Sequence, residues 1–220
     1  MSEKIAGKEE IAEYFEGLLE KHGDHYLSLD WNSKESQLVR FSVLLDIISF
    51  AQKKEDFSIL DVGCGIGHFY EFLQETNLLD ALKIDYSGID ISGKMIDFSK
   101  KKYPKIDFRV IDLISDKFDK TYDYLACSGI FNVRMADIAS HKETVKKMLS
   151  RMYHLSDHGV SANFLAQSSL YLVPEGETPE TSKYVFFAEE EVISWVKAIS
   201  ESYIVRHDYH PGDFTVYMLK

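Results

Sequence analysis

The sequence predicts an α/β fold in which helices flank a doubly wound, mostly parallel sheet of seven strands. From residue 57 onward, short apolar or β-branched segments alternate with helical ones such as HFYEFLQE and GKMIDFSKKK, as expected for strands joined by crossover helices. The strand segments read SILDV, IDYSGID, IDFRVID, YDYLACS, GVSANFLA, YIVRHDYH and DFTVYMLK. A Pro-Gly pair separates the last two, which predicts an antiparallel hairpin with a tight turn at the C-terminal end.

Two helices are predicted before the first strand. Residues 8–21 place apolar side chains at helical spacing, as in an amphipathic helix. Asn32 stands three residues before Glu35, which resembles a capping box and predicts the start of a second helix. The apolar face of that helix comprises Leu38, Phe41, Leu45 and Ile48. We expect one domain over residues 1–220, with residues 1–55 as an N-terminal helical cap or lid and residues 56–220 as the core.

The composition predicts a folded, cytoplasmic protein that avoids polyanions. With 25 Lys and Arg residues against 36 Asp and Glu residues, the net charge of −11 disfavours nucleic acid and anionic membranes as partners. The N-terminus has no secretory signal pattern, and the longest apolar segment, VLLDIISFA, is interrupted by Asp46 and too short to span a membrane. Cys64 and Cys127 are predicted to be buried free thiols, and neither a disulfide framework nor a metal site is indicated.

The segment SILDVGCGIGHFYEF at residues 58–72 carries the strongest functional signal. An apolar strand ending near Asp61 is followed by Gly63, Gly65 and Gly67 and then by a helical segment. Glycines let a ligand approach the backbone, and the start of a helix offers free N–H groups, so this junction predicts a ligand site. A plain tight turn is the structural alternative. The spacing G-x-G-x-G, with histidine at position 68, differs from the dinucleotide fingerprint G-x-G-x-x-G.

The motif DVGCGIG resembles the first motif of class I S-adenosylmethionine-dependent methyltransferases, in which an acidic residue ends the first strand before G-x-G-x-G. Further segments are similar to this family in the same order along the chain: Asp90 ending YSGID, Asp112 ending the third strand in DFRVIDL, YDYLACSGIFN as the fourth motif, and FTVYMLK as the reversed last strand. The resemblance covers residues 57–220 and implies a Rossmann-like methyltransferase fold. The segments SLDWNSKESQ, SGIFN and RHDYHPGDFTVY are also similar to small bacterial and archaeal methyltransferases of undefined substrate.

The resemblance implies S-adenosylmethionine as the cofactor, with S-adenosylhomocysteine as its product, and implies roles for individual residues. Asp90, about twenty residues after the glycines, would accept both ribose hydroxyls. Asp112 would bond to the adenine amino group, with Ile91 and Leu113 packing against the ring. The backbone near Ser128 would meet the methionine part of the cofactor. The predicted cofactor-binding residues are Asp61, Gly63, Cys64, Gly65, Gly67, Asp90, Ile91, Asp112, Leu113 and Ser128.

The predicted acceptor is a small polar molecule that is methylated on oxygen or nitrogen. Methyl transfer from a sulfonium is an in-line displacement aided mainly by proximity, so a general base is optional and no catalytic residue is assigned. His25, His68 and His141 are candidates for a base, with an ordinary surface or core histidine as the alternative for each. The sequence lacks the Asn-Pro-Pro-aromatic motif of methyltransferases that act on adenine in nucleic acids or on protein glutamine, so those acceptors lose support.

The predicted substrate-side residues come from the N-terminal helices and from the loops after the fourth and fifth strands. They are Tyr14, His25, Tyr26, Trp31, Arg40, Phe131, Asn132 and Tyr171. The aromatic ones could shield the sulfonium by cation–π contact, or could simply pack the N-terminal helices against the core. Arg40 shares a helix face with Gln37 and invites an anionic partner, such as the cofactor carboxylate or an acidic substrate group; an ordinary ion pair with Glu35 or Asp46 is the alternative.

The sequence thus predicts a methyltransferase that acts on a small molecule as a monomer or homodimer, with no nucleic acid, membrane or metal partner. Two other functions stay open. An NAD-dependent oxidoreductase would use a similar sheet, but the glycine spacing and the antiparallel hairpin favour the methyltransferase. A non-catalytic binding module would keep the fold as a scaffold, which the intact Gly63, Gly65, Gly67, Asp90 and Asp112 disfavour.

Overall fold

A seven-stranded sheet forms the centre of the computed structural model, which describes residues 7–51, 54–135, 137–173, 178–179 and 181–220. The strands are β1 (Phe57–Val62), β2 (Ile84–Asp90), β3 (Asp107–Val110), β4 (Tyr122–Cys127), β5 (Ser156–Leu165), β6 (Ser202–Arg206) and β7 (Asp213–Leu219). Their order across the sheet is β3-β2-β1-β4-β5-β7-β6. Strands β1 to β5 pair in parallel, and β7 runs antiparallel between β5 and β6. The predicted fold class is therefore confirmed, including its reversed last strand.

The C-terminal hairpin is more open than the sequence prediction. Strands β6 and β7 pair from Ser202 opposite Leu219 to Arg206 opposite Thr215, and residues 207–212 connect them. The Pro-Gly pair lies at the end of this connection instead of forming a tight turn on its own. Ala166 N donates to Gly212 O at 2.9 Å, so the connection is anchored to the chain just beyond β5.

Eight α-helices cover the faces of the sheet in the described part of the chain. They are α1 (Lys8–His22), α2 (Lys34–Leu45), α3 (Ile47–Phe50), α4 (His68–Glu75), α5 (Leu78–Ala81), α6 (Gly93–Lys102), α7 (Ile138–Leu155) and α8 (Glu189–Ile199). Two 3₁₀ helices lie at Tyr26–Leu29 and Gln167–Leu172. Helices α1 and α2 correspond to the two that were predicted before the first strand.

The N-cap of α2 differs from the prediction by one residue. The cap is Ser33, not Asn32, because the Ser33 side chain accepts a hydrogen bond from Ser36 N at 3.0 Å. Serine and asparagine cap helices about equally well, so the sequence alone does not choose between these neighbours. The helix also ends at Leu45, and Ile48, predicted on its apolar face, belongs to the separate α3.

Large apolar side chains pack on both faces of the sheet. On one face Phe164 stacks between Phe131 and Phe214, with ring centroids 5.2 and 5.3 Å apart, and all three side chains are buried. Burial of one such ring contributes about 1.5–3 kcal/mol to the stability of the fold, so this stack strongly stabilises the sheet beneath the loop that follows β4. Cys64 and Cys127 are free and buried, as predicted.

The strand order changes direction between β1 and β4. From β1 the chain builds outward to β2 and β3, and from β4 it builds the other way to β5. In sheets of this kind the loops at the carboxyl ends of the strands separate at such a point and leave a crevice for a ligand. The glycine loop at residues 63–67 follows β1 at this position.

Candidate active site

A cavity of about 420 Å³ lies at the crevice between the loops that follow β1, β2 and β4. It is lined by nine of the ten residues that were predicted to bind the cofactor. These nine are Asp61, Gly63, Cys64, Gly65, Asp90, Ile91, Asp112, Leu113 and Ser128. Helix α1 contributes Lys8, Ile11, Ala12 and Phe15 to the lining. The fold therefore brings these sequence-distant residues together around one space.

The glycine loop has a backbone shape that other residues would strain. Gly63, Gly65 and Gly67 have φ angles of +76°, +54° and +85°, in the region that favours glycine. A Cβ atom at Gly63 would lie 2.2 Å from Ile130 Cγ2, and one at Gly65 would lie 2.6 Å from Leu29 Cδ2. Gly67 is the N-cap of α4 and lies outside the described cavity lining, so the structure explains it through the start of the helix.

Asp61 is a buried carboxyl group near the end of β1 that borders the cavity. It accepts a hydrogen bond from Tyr86 Oη at 2.6 Å. Burial raises the pKa of Asp61 to about 7, although the Tyr86 bond acts in the opposite direction and Asp90 adds to the rise. A cation entering the cavity would stabilise the ionised form, so this end of the cavity suits a positively charged ligand.

Asp90 ends β2, as predicted, and holds the glycine loop in place. Its carboxylate accepts hydrogen bonds from Gly65 N and Ser92 N, each at 2.9 Å. Burial raises the pKa of Asp90, and these backbone hydrogen bonds oppose that rise. A carboxylate has about four acceptor positions, so two bonds to the backbone leave capacity for the hydroxyl groups of a ligand.

Asp112 lies beyond the end of β3 at Val110, whereas the sequence placed it on the strand's last position. It accepts hydrogen bonds from Lys8 Nζ at 2.6 Å, Ser115 Oγ at 2.7 Å and Ile114 N at 2.9 Å. Burial would raise the pKa of Asp112, but these hydrogen bonds outweigh it and lower the pKa to about 2. The carboxylate is therefore ionised and already partnered at neutral pH.

Helix α1 is docked over the cavity by a small apolar cluster and by surface pairs. Leu19 packs with Ile66 and Met95. The Lys8–Asp112 pair is supplemented by Ser92 Oγ donating to Glu16 at 2.7 Å and by Lys94 Nζ donating to Glu20 at 2.8 Å. Lys8, Lys94 and Glu20 are 52%, 57% and 67% exposed, and ion pairs this exposed add little to stability because water and salt screen them. The polar attachment of α1 is thus weak.

A second attachment, which we call the lid network, consists of Tyr14, Asp30, Lys183 and Tyr184. Asp30 Oδ2 accepts hydrogen bonds from Tyr14 Oη and Tyr184 Oη, each at 2.8 Å, and Lys183 Nζ lies 2.9 Å from the same oxygen. Burial, followed by the charge and hydrogen bond of Asp30, raises the pKa of Tyr14, so its hydroxyl stays protonated. The network ties α1 to the segment after β5, and Tyr14 lies there instead of on the cavity wall.

Trp31 and Phe131 are the predicted substrate-side residues that line the cavity. Trp31 packs beside the loop after β4, where a Cβ atom at Gly129 would lie 3.2 Å from Trp31 Cζ2. Tyr171 falls in the second 3₁₀ helix, and its side chain lies outside the described residues.

His25, Tyr26 and Asn132 occupy other positions. His25 is the N-cap of the first 3₁₀ helix, and it borders, together with Tyr26, a second cavity of about 210 Å³. Asn132 Oδ1 accepts a hydrogen bond from Leu165 N at 3.0 Å, which fixes the loop after β4 to the end of β5. His25 and Tyr26 therefore border the second cavity, and Asn132 holds the loop after β4 in place.

Arg40 is buried and forms an ion pair with Asp213 at the start of β7. Its partner is therefore neither Glu35 nor Asp46, the residues that the sequence suggested for an ion pair. Its Nη1 also donates to Ser36 O at 2.8 Å. Its guanidinium lies 4.9 Å from the centroid of the Trp31 ring, so Arg40 supports the side chain that lines the cavity without lining the cavity itself.

The two other candidate bases, His68 and His141, both line the cavity. His141 Nε2 lies 2.9 Å from Phe131 O, and Met135 N donates to His141 Nδ1 at 3.4 Å, so both ring nitrogens are engaged by backbone groups. Burial lowers the pKa of His141, which keeps this ring neutral. His68 also borders the second cavity, where Asp24 and Gln37 contact its ring.

A group of potential metal ligands, which the sequence did not suggest, comes together beside the second cavity. Ligand atoms of Asp24, His68 and Glu71 lie within 4.8 Å of one another. Lys102 Nζ lies 2.7 Å from Asp24 Oδ2 and 3.0 Å from Glu71 Oε2. The Lys102 ammonium group forms ion pairs with both carboxylates, so we interpret this cluster as an ion-pair network.

The glycine loop after β1, the acidic residues at or just beyond the carboxyl ends of β2 and β3 and the reversed β7 are arranged as in the fold of class I methyltransferases. Residues 59–159 match the family described as "Methyltransferase domain". A protein of Mycobacterium tuberculosis, "Putative methyltransferase Rv1506c", is 27% identical over 175 residues, which cover 76% of this chain and 95% of that protein.

Solved structures share the fold. The plantazolicin methyltransferase BpumL, in complex with a triazolic desmethylPZN analog and S-adenosylhomocysteine (SAH), has a TM-score of 0.64 at 18% identity, covering 96% of this chain and 94% of that chain. The magnesium protoporphyrin IX methyltransferase of Synechocystis, with bound SAH, has a TM-score of 0.61 at 14% identity, covering 97% of this chain and 99% of that chain.

The resemblance found in the sequence to the class I S-adenosylmethionine-dependent methyltransferases is confirmed by the family match over residues 59–159 and by the shared fold. The solved structures of the Synechocystis enzyme contain S-adenosylmethionine or SAH, and that of BpumL contains SAH. Within the described residues, every helix is too short or too polar to cross a membrane.

Proposed function

We propose that this chain is an S-adenosylmethionine-dependent methyltransferase, with SAH as its product, and that it acts on an oxygen or nitrogen atom of a small-molecule acceptor. The observation that carries the proposal is that α1 partly covers the cavity and is fastened to the segment after β5 by the lid network. A cavity of about 420 Å³ that also has to hold the cofactor leaves little further room, which favours a small acceptor, and the net charge of −11 disfavours a nucleic acid acceptor.

The residues around the cavity fit the parts of the cofactor. The carboxylates of Asp90 and Asp112 can accept hydrogen bonds from neutral hydroxyl and amino groups, and Asp61 suits the positive charge of the sulfonium and ammonium groups. We assign Asp90 to the ribose hydroxyls, Asp112 to the adenine amino group and Asp61 to the cationic amino-acid end. Ile91 and Leu113 supply apolar surface for the adenine ring.

The bound cofactor supplies an electrophilic methyl group. The chain's contribution is to hold donor and acceptor in near-attack geometry and to exclude water, for which a covered cavity is sufficient. Trp31 and Phe131 present aromatic surfaces that can stabilise a cation inside the cavity. We assign no general base, because an amine acceptor needs only an unprotonated nitrogen.

A methyl-transfer screen tests this function, using a library of hydroxyl- and amine-bearing metabolites and SAH release as the readout. We expect release that depends on a small acceptor and that falls strongly in Asp90→Ala. Asp85→Asn, which changes an exposed aspartate on the same strand, is the matched control and should keep wild-type activity. Transfer that occurs to protein or nucleic acid substrates, and to no metabolite, would contradict the small-molecule proposal.

Calorimetry with SAH and with NADH separates the alternative functions. Binding of SAH in preference to NADH is expected, and the reverse preference would favour an oxidoreductase. SAH binding without transfer to any acceptor class would favour a binding module.

A further inference from the structure

His68 lies where the amino-acid end of the cofactor is expected. It is the first residue of α4, directly after the glycine loop, and it borders both the cofactor cavity and the second cavity. The proposed function, on which this inference rests, places ribose and adenine at Asp90 and Asp112. The amino-acid end, which carries a carboxylate, is therefore left for the glycine loop and the start of α4.

A carboxylate needs a hydrogen-bond donor or a cation, and the described cavity lining has few. Lys8 is engaged by Asp112 at the adenine end. His141 Nε2 faces Phe131 O, and its Nδ1 accepts from Met135 N–H, a backbone donor that cannot turn to accept a second ring hydrogen. The other charged side chains on the described lining are carboxylates. His68 is the group left there that can become a cation.

The ring of His68 can exist in two protonation states in its present position. Nε2 lies 3.2 Å from Asp24 Oδ1, and Nδ1 lies 3.1 Å from Gln37 Nε2. Because an ionised carboxylate only accepts hydrogen bonds, Nε2 carries a hydrogen, and Nδ1 of the neutral ring accepts from the Gln37 amide. A half-turn of that amide would present its oxygen to a second ring hydrogen at Nδ1.

Charged side chains from several parts of the fold face His68. Asp24 precedes the first 3₁₀ helix, Glu71 is on α4, and Lys102 of α6 contacts both carboxylates. The second cavity is also bordered by His25, Lys34 and Glu75. Burial lowers the pKa of His68; Asp24 and Glu71 oppose this effect, and Lys102 adds to it. The ring is therefore mainly neutral in the free protein at pH 7, and an incoming carboxylate would favour the imidazolium.

We propose that His68, as an imidazolium, binds the carboxylate at the amino-acid end of the cofactor, and that the ring takes up one proton from solvent when the cofactor enters. The proton adds to Nδ1, and no bond of the cofactor is broken. Gln37 gives way so that the new Nδ1–H donates to the carboxylate, and Asp24 keeps its hydrogen bond to Nε2. His68 thus makes cofactor affinity dependent on pH.

Calorimetry of SAH binding at about pH 7 tests the proposal, because heats measured in phosphate and in Tris buffer report the number of protons exchanged. We expect His68→Asn to weaken SAH binding about tenfold or more, as for a lost hydrogen bond to a charged group, and to take up fewer protons than the wild type. His68→Arg, with a permanent charge, should retain more affinity than His68→Asn without the proton uptake. His207→Asn changes an exposed histidine and should behave as the wild type.

The possible outcomes separate this inference from the proposed function. Equal affinity and equal proton number in the wild type and His68→Asn would overturn the role of His68 and leave SAH binding intact. A wild type that does not bind SAH would instead refute the placement of the cofactor. If thermal unfolding shows that His68→Asn does not fold, ¹⁵N NMR of the wild-type histidine rings decides. A second ring proton on His68 in the SAH complex supports the proposal, and an unchanged neutral ring overturns it.

Discussion

Replacing Asp61 by Asn should stabilise the cofactor-free protein at alkaline pH but not at acid pH. Burial raises the pKa of Asp61 from 3.8 to about 7, so between these values the folded state binds a proton more tightly than the unfolded state. At about 1.36 kcal/mol per pKa unit, ionisation of Asp61 in the folded protein costs ~4 kcal/mol. Binding of the proton by Asp61 therefore stabilises the folded wild-type protein. Since the pKa is raised on folding, this stabilisation is fully present below about pH 4 and is lost as the pH rises through about 7.

Asparagine escapes this cost because it is neutral at every pH and its Oδ1 can still accept the Tyr86 hydroxyl. Urea denaturation at about pH 4.5, 6 and 8 gives the free energies of unfolding of both proteins. The advantage of Asp61→Asn over the wild type should grow by ~3 kcal/mol from the lowest to the highest pH, because most of the interval between the two pKa values lies within this range. The exposed Asp85→Asn serves as the matched control and should show no such trend. A difference between Asp61→Asn and the wild type that stays constant with pH would refute the reasoning.

Asp90→Ala should weaken SAH binding by about tenfold or more in calorimetry, since it removes the acceptor of Gly65 N–H as well as the proposed ribose ligand; unchanged affinity would show that the ribose lies elsewhere. Trp31→Leu should lower affinity for S-adenosylmethionine about 2- to 30-fold more than affinity for SAH, because SAH has no sulfonium; Trp31→Phe keeps a ring as the control, and equal losses would contradict cation–π contact. Asp30→Asn should speed SAH release up to about tenfold in stopped-flow fluorescence, because the charge that holds Lys183 is lost; a wild-type rate would exclude the lid network from gating.

The centre of the site could be predicted because it depends on residues that are close in sequence. The positive φ angles of Gly63 and Gly65 allow the chain to turn from β1 toward α4, and glycine is the residue that adopts them without strain. Asp90 is the last residue of a largely buried strand of ordinary length, so its place at the carboxyl end of β2 is set by the strand itself. Because parallel strands end at one edge of the sheet, these local features meet in space.

Long-range polar partners could not be predicted in this way. Arg40 pairs with Asp213, which is 173 positions away, because the sheet order brings the start of β7 beside α2. On α1, neighbouring residues point about 100° apart, so Phe15 reaches the cavity while Tyr14 turns to Asp30. The sequence shows that both aromatics exist but not which of them faces the ligand.

The cavity face of α1 was missed, although the sequence contains a signal for it. Lys8, Ile11, Ala12 and Phe15 are spaced as positions i, i+3, i+4 and i+7, which puts them on one side of a helix. A lysine at the end of an otherwise apolar helix face indicates that an acidic residue from another part of the chain lies opposite that end of the helix. Identifying Asp112 as that carboxylate requires the docked position of α1, which only the structure supplies.

Asp61 and Asp112 both line the cavity but differ in charge state, which bears on how the proposed cofactor would act on α1. Burial raises the pKa of Asp61 to about 7, so a cation beside it would gain by replacing a proton. Asp112 is ionised and already holds Lys8 of α1, and its pKa is about 2. In the proposed placement, the neutral adenine amino group would share Asp112 with the ion pair that fastens α1. We therefore expect cofactor occupancy and the position of α1 to be coupled through Asp112, and the positive charge of the cofactor to be recognised by Asp61.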